Sequence, residues 1–132
     1  AGERAQTGDA SILLVEDDDT VRETLAKSLR RLGYQVIEAD DGPSALGLLE
    51  SQSVDLVITD LIMPKGVTGV ELARQARIEH PDLGFIFISG YADAADTVAG
   101  DLAEGERMLS KPFSQGDLAK AVRSVLDERR GG

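Results

Sequence analysis

The sequence predicts an α/β fold: a doubly wound, five-stranded parallel sheet in the order 2-1-3-4-5. Three observations predict it. Short apolar runs alternate five times with segments of helical periodicity, without an internal repeat or a long structureless insertion. The runs at Ser11–Val15, Val54–Thr59 and Gly84–Ile88 are near-continuously apolar, as in strands buried on both faces of a parallel sheet. Four of the runs also end in a polar side chain: Glu16-Asp17, Asp60, Ser89, and Ser110-Lys111. Open parallel sheets build their sites along that carboxyl edge.

Ser11–Val15 is the first strand. Thr20 and Glu23 have the spacing of a capping box, with Val21, Leu25, Leu29 and Leu32 at helical intervals behind them and Gly33 as the stop. Tyr34–Ala39 is half-polar and fits an edge strand. Pro43 suits the first turn of a short helix reaching about Glu50. Val54–Thr59 is the third strand, with Asp55 as its solvent-facing start. Val70–Glu79 is a helix that stops before His80-Pro81, and His80 reads as an exposed structural residue. Gly84–Ile88 is the fourth strand. Ala92–Ala99 is a weak helix with few large apolar residues, closed by Gly100. Arg107–Leu109 is a short fifth strand. Ser114 and Asp117 then cap a last helix whose inner face is Leu118, Val122, Val125 and Leu126.

At 132 residues the chain is long enough for one domain with a real core, and 42% hydrophobic with 29% charged residues is ordinary for a globular protein. The net charge of −10, from 24 acidic against 14 basic residues, argues against nonspecific binding to nucleic acid or to an anionic membrane. The absence of cysteine excludes disulfides and thiolate metal sites. No apolar stretch reaches the roughly 18 residues of a membrane span, so membrane insertion is not expected. Residues 1–10 have the composition of a linker or frayed end and show no signal peptide, 11–128 form the domain, and 129–132 are a tail in which Arg129 and Arg130 read as helix-end or linker charges. The first residue is not Met, which fits a fragment or a processed chain.

In the order 2-1-3-4-5, with strands about 5 Å apart, Asp17 and Asp60 are neighbours and Ser89 lies one strand away. Lys111 is about 10 Å off in backbone terms, which its side chain largely spans. At 4 to 5 Å and an effective dielectric of about 20, each pair of carboxylates in one crevice costs about 3 to 4 kcal/mol. One lysine cannot offset three such charges, whereas a divalent cation can. An all-oxygen site beside a phosphoryl group favours Mg²⁺. A carboxylate there can act as a nucleophile, with lysine and hydroxyl groups binding the transferred phosphoryl oxygens.

The stretches Ile12-Leu13-Leu14-Val15-Glu16-Asp17-Asp18, Asp60-Leu61-Ile62-Met63-Pro64, Ile88-Ser89-Gly90 and Ser110-Lys111-Pro112-Phe113 together resemble the receiver domain of bacterial two-component response regulators. The resemblance covers about Ser11 to Glu128. It implies a flavodoxin-like fold, a cytoplasmic location, and Mg²⁺-dependent transfer of a phosphoryl group to one Asp. The donor would be a phosphohistidine on a histidine kinase or a histidine phosphotransfer protein. By position, Asp60 would be the acceptor, Asp17 a direct metal ligand and Glu16 a ligand through water. Ile62 would give its carbonyl to the metal, Ser89 and Lys111 would bind the phosphoryl oxygens, and backbone amides of Leu61, Ile62 and Gly90 would add donors. A cis bond at Lys111-Pro112 also follows from the resemblance. Phosphorylation would reshape the surface made by the Ala92–Ala99 helix, the fifth strand and the last helix, which is also the candidate face for a dimer.

Two departures stand out. Met108 occupies a position where the family often has an aromatic ring, so the switch is expected to be weaker or differently wired. The loop Met63–Gly69 is one residue longer than the commonest form. With Ser89-Gly90-Tyr91-Ala92 it resembles receivers attached to hybrid sensor histidine kinases. A stand-alone response regulator is the alternative, and a receiver-like binding module that has lost phosphorylation would lack an Asp or Lys that this chain retains. A phosphatase would want an acid where Ile62 stands, and the chain is not expected to be a turnover enzyme. A flavin protein would not place Glu16–Asp19 at its phosphate. Asp18 and Asp19 read as caps or loop residues, and Gly66 and Gly69 as loop glycines. Ile62 and Tyr91, bulky and without a base, predict slow self-dephosphorylation.

Overall fold

Five strands form a single parallel sheet in the order β2-β1-β3-β4-β5, as the sequence predicts. A computed structural model describes residues 10–61, 68–89 and 106–131. Its elements are β1 (Ser11–Val15), α1 (Asp19–Arg31), β2 (Gln35–Ala39), α2 (Gly42–Ser51), β3 (Leu56–Asp60), α3 (Gly69–Glu79), β4 (Gly84–Ser89), β5 (Glu106–Ser110) and α4 (Gln115–Gly131). The predicted Ala92–Ala99 helix, Gly100, the loop glycine Gly66, and Ile62, Gly90 and Tyr91 lie outside the described residues.

The continuous apolar runs are explained by a core on each face of the sheet. Side chains alternate along a strand, so Ile12, Leu14, Leu56, Ile58, Ile86 and Ile88 face Leu25, Ala26 and Leu29 of α1 and Leu118, Val122, Val125 and Leu126 of α4. Leu13, Val15, Val57, Phe85 and Phe87 face Ala45 and Leu49 of α2 and Leu72, Ala73 and Ala76 of α3. Every residue of β3 and β4 is buried, whereas the edge strands β2 and β5 are mostly half-buried. The expected half-polar edge strand is thus β2.

Helix ends follow local hydrogen bonding. The N-cap of α1 is Asp18, whose carboxylate accepts from the Val21 amide; Thr20 lies inside the helix, where its carbonyl accepts from the Thr24 hydroxyl. The reading of Asp18 as a cap holds and the capping box at Thr20 does not. Gly33, at φ 101°, follows the helix and donates to Arg30 O, the left-handed stop that glycine permits. Thr68 caps α3. At α4 the predicted box forms in both directions: Asp117 N donates to Ser114 Oγ and Ser114 N donates to Asp117 Oδ2. Helix α4 extends to Gly131, so the backbone of 129–131 continues the helix.

Two further expectations are corrected. Asp55 is half-buried rather than solvent-facing, because its Oδ2 accepts from Ser11 N at 2.9 Å while its own amide donates to Ser11 O. It clamps the start of β1 to β3. His80 is half-buried at the end of α3, where its amide donates to Ala76 O. The Lys111–Pro112 peptide is cis, as the resemblance implies. No helix among the described residues is long and apolar enough to cross a membrane.

Candidate functional site

The carboxyl ends of β1, β3, β4 and β5 meet at one edge, and the polar residues picked out in the sequence stand there. Parallel pairing sets their positions. Val15 pairs with Thr59, Asp60 with Ile88, and Ser89 with Ser110. Glu16 and Asp17 follow directly on β1, and Lys111 follows on β5, where its amide donates to Ser89 O at 2.9 Å.

Glu16 is held on three sides. Its amide donates to Ala39 O at 3.0 Å, extending the β1–β2 ladder. Its carbonyl accepts from the Arg22 guanidinium at 2.8 Å, and Oε2 accepts from Asp18 N at 2.9 Å. The residue is 3% exposed, and its other carboxylate oxygen, Oε1, is buried without a hydrogen-bond partner among the described residues. A buried carboxylate oxygen left unpaired is costly, and here it belongs to a cluster. Glu16, Asp17 and Asp60 each offer an oxygen, and these oxygens lie within 4.8 Å of one another. The first and last are buried, while Asp17 is exposed and opens the cluster to solvent. Such an all-oxygen set, with a free buried lone pair and no thiolate or imidazole, fits a hard divalent cation.

Asp60 is 8% exposed. Burial pushes its carboxyl from 3.8 up to about 8, the facing Glu16 adds to the rise, Lys111 opposes it, and Asp17 raises it further. Lys111 is thus near enough for its charge to bear on Asp60. The Asp60 backbone is also fixed: its carbonyl accepts from the buried Thr59 hydroxyl at 3.1 Å, and the next amide, Leu61 N, donates to Ile88 O at 2.8 Å. This last bond corrects one expectation. The Leu61 amide is committed to the sheet ladder and is not free to serve a phosphoryl oxygen.

Ser89 is 1% exposed, and its hydroxyl lies 3.5 Å from that of Ser110. Met108, in register with Phe87, is half-buried against the core shared with α2 and α3. The structure thus brings Glu16, Asp17, Asp60, Ser89 and Lys111 to one edge, while the expected contributions of Ile62 and Gly90 lie outside the described residues.

Two residues that shape this edge were not singled out for it in the sequence. Arg22 bonds the Glu16 carbonyl and also reaches Glu38 Oε1 at 3.3 Å and Asp19 Oδ1 at 2.6 Å. No sequence pattern marks it. Gly69 opens α3 rather than lying in a loop, and its amide donates to Leu61 O at 2.8 Å. A Cβ there would come within 2.3 Å of Asp60 O, so only glycine lets α3 start against the backbone of the central acid. Thr68, an N-cap type directly before it, is the signal that places Gly69 in the helix.

The chain is 41% identical over 127 residues to the sensor kinase CckA of Brucella abortus, covering 93% of this chain, although that stretch is only 13% of the kinase's length. It is 40% identical over 115 residues to the response regulator receiver protein CpdR of the same organism, covering 87% of this chain and 95% of that protein. A crystal structure of a response regulator receiver domain protein from Clostridium thermocellum superposes with a TM-score of 0.84 at 27% identity, covering 92% of this chain and 97% of the other. Receiver domains characteristically serve as phosphoacceptor modules and not as independent turnover enzymes. With residues 12–123 matching the response regulator receiver domain, an acidic cluster at the predicted sheet edge and relatives of this kind, the chain belongs to the response regulator receiver family.

Proposed function

We propose that this chain is the phosphoacceptor of a two-component phosphorelay, taking a phosphoryl group from a partner phosphohistidine onto Asp60. One observation carries the reading. Asp60 is the buried acid at the end of the central strand, with Glu16 and Asp17 on one side and Lys111 acting on it from the other. In the transfer, an Asp60 carboxylate oxygen forms the new O–P bond as the N–P bond of the donor breaks and its imidazole leaves. Lys111 pairs with a phosphoryl oxygen. The Ser89 hydroxyl donates to another, and that movement carries the change to β5 and the surface around it.

Glu16, Asp17 and Asp60 would hold Mg²⁺. When bound, the ion neutralises the clustered carboxylates and the charge spread over the phosphoryl oxygens. The chain's own contribution is placement: ladders on both sides of β3 fix Asp60, and Arg22 with the Asp18 amide fixes Glu16.

The partner class is a histidine kinase or a histidine phosphotransfer protein, and the setting a cytoplasmic one. Similarity to a stretch of a sensor kinase favours the receiver of a hybrid kinase, while the comparable similarity to a protein of almost this length keeps the stand-alone regulator as the second reading. Incubation with acetyl phosphate and Mg²⁺ tests the acceptor. Wild type should label to one phosphoryl per chain, the Asp60→Asn variant should not, and a chelator should abolish labelling. Full labelling of the variant would sink the assignment. Phosphotransfer profiling against kinases and phosphotransfer proteins would separate the two parentages.

A further inference from the structure

The Ser89 hydroxyl already has a neighbour that its proposed role does not use. Register places Ser110 directly opposite it on β5, so both side chains leave the same face of the sheet. The Lys111 amide, bonded to Ser89 O, fixes the two backbones at that point. The side-chain oxygens are 3.5 Å apart, and either hydroxyl can donate. The two serines differ sharply in surroundings: Ser89 is buried and Ser110 is exposed.

That difference gives the pair a direction. A buried hydroxyl without a partner is costly, so Ser89 holds some acceptor or donor at all times. An exposed hydroxyl released by its partner bonds water at little cost. Ser89 also follows Ile88, the register partner of Asp60, and so stands one residue from the strand pair that carries the acid.

We propose that Ser110 is a positioning residue that holds the Ser89 hydroxyl in the unphosphorylated domain, and that phosphorylation of Asp60 exchanges Ser110 for a phosphoryl oxygen. The proposal rests on the reading of Asp60 as acceptor and Ser89 as its hydroxyl partner. A neutral pair at 3.5 Å is a weak bond, whereas a bond to a phosphoryl oxygen is charge-assisted and stronger. The exchange therefore runs downhill once the phosphoryl group is present. Ser110 sets the threshold of the switch, at a strand end whose inner neighbour is Met108 instead of a ring.

The test is the affinity for beryllofluoride with Mg²⁺, read by calorimetry, together with the initial rate of labelling by acetyl phosphate. Removing the resting partner in Ser110→Ala should tighten beryllofluoride binding about two- to fivefold, the worth of one weak hydrogen bond. Ser110→Thr, which keeps the hydroxyl, should behave as wild type. In a Ser89→Ala background the same Ser110→Ala change should do nothing, since the two act as one unit. Unchanged or weaker binding by Ser110→Ala would overturn the proposal. So would an equal shift in the Ser89→Ala background, or a Thr variant that behaves like Ala. If wild type itself neither labels nor binds beryllofluoride, the acceptor reading fails, and this one fails with it.

Discussion

Replacing Asp60 by Asn is expected to stabilise the metal-free domain while removing the acceptor role proposed for it. Burial first, then Glu16 and Asp17, raise the carboxyl from 3.8 to about 8 against the opposing Lys111. Between those two values the folded chain holds a proton on Asp60 that the unfolded chain has lost. Stability from this group is therefore complete below about pH 4 and drains away as pH rises toward 8, at about 1.4 kcal/mol per unit. By pH 7 most of this contribution is lost, whereas at pH 5 most of it remains. Asn has nearly the same shape and no charge at any pH, so the variant escapes the loss. Urea denaturation with a chelator present, at pH 5, 6, 7 and 8, should show a gap between variant and wild type that widens with pH. Adding Mg²⁺ at pH 8 should narrow the gap by stabilising wild type alone. Parallel stability curves, or a variant less stable than wild type at pH 7, would refute the placement of Asp60 in an unrelieved acidic cluster.

Gly69→Ala puts a Cβ within 2.3 Å of Asp60 O and forces α3 off the end of β3. It should cost about 1 to 3 kcal/mol in denaturation and lower Mg²⁺ affinity, measured by titration calorimetry. Asp18→Ala should lose about 1 kcal/mol as the cap of α1, while Thr20→Ala should lose less than half of that, and equal losses would return the cap to Thr20. Lys111→Ala and Ser89→Ala should each slow labelling by acetyl phosphate about tenfold or more without changing its one-per-chain limit, and wild-type rates in both would remove them from the site.

Much of this fold is readable because its strands are buried on both faces. Ile12 to Val15 and Phe85 to Ile88 need no alternation, since odd and even positions meet separate cores. The candidate site residues are readable for a related reason: each is the polar group at which a strand's apolar run ends. What stayed hidden depends on partners far along the chain or on backbone geometry. Two residues near the start of α1 could cap it, and local pattern prefers Thr20. Asp18 takes the role because Glu16 Oε2 already holds its amide, drawing the turn tight after β1. Asp55 looks solvated until Ser11, 44 positions away, is placed beside it. The Leu61 amide looks available until the ladder to Ile88 is drawn. Arg22 carries no motif at all.

These hidden contacts explain why the acidic cluster does not relieve itself. Like charges on flexible supports would separate, and a small rotation would take either carboxylate toward water. Neither support yields. The Glu16 backbone is bonded at both its amide and its carbonyl, and one of its carboxylate oxygens is bonded as well. Asp60 ends a strand paired on both sides, with Ile58 and Leu61 buried around it and the start of α3 pressed on its carbonyl. With the backbone fixed, two means of relief remain. A proton can bind, as the raised carboxyl of Asp60 records, or positive charge can enter from the side that the exposed Asp17 leaves open. The two compete for the same lone pairs. A rise in pH therefore weakens the metal-free fold and strengthens the site's demand for a cation through one ionisation. The rigidity that makes the cluster costly is what would keep Asp60 aligned for the attack proposed for it.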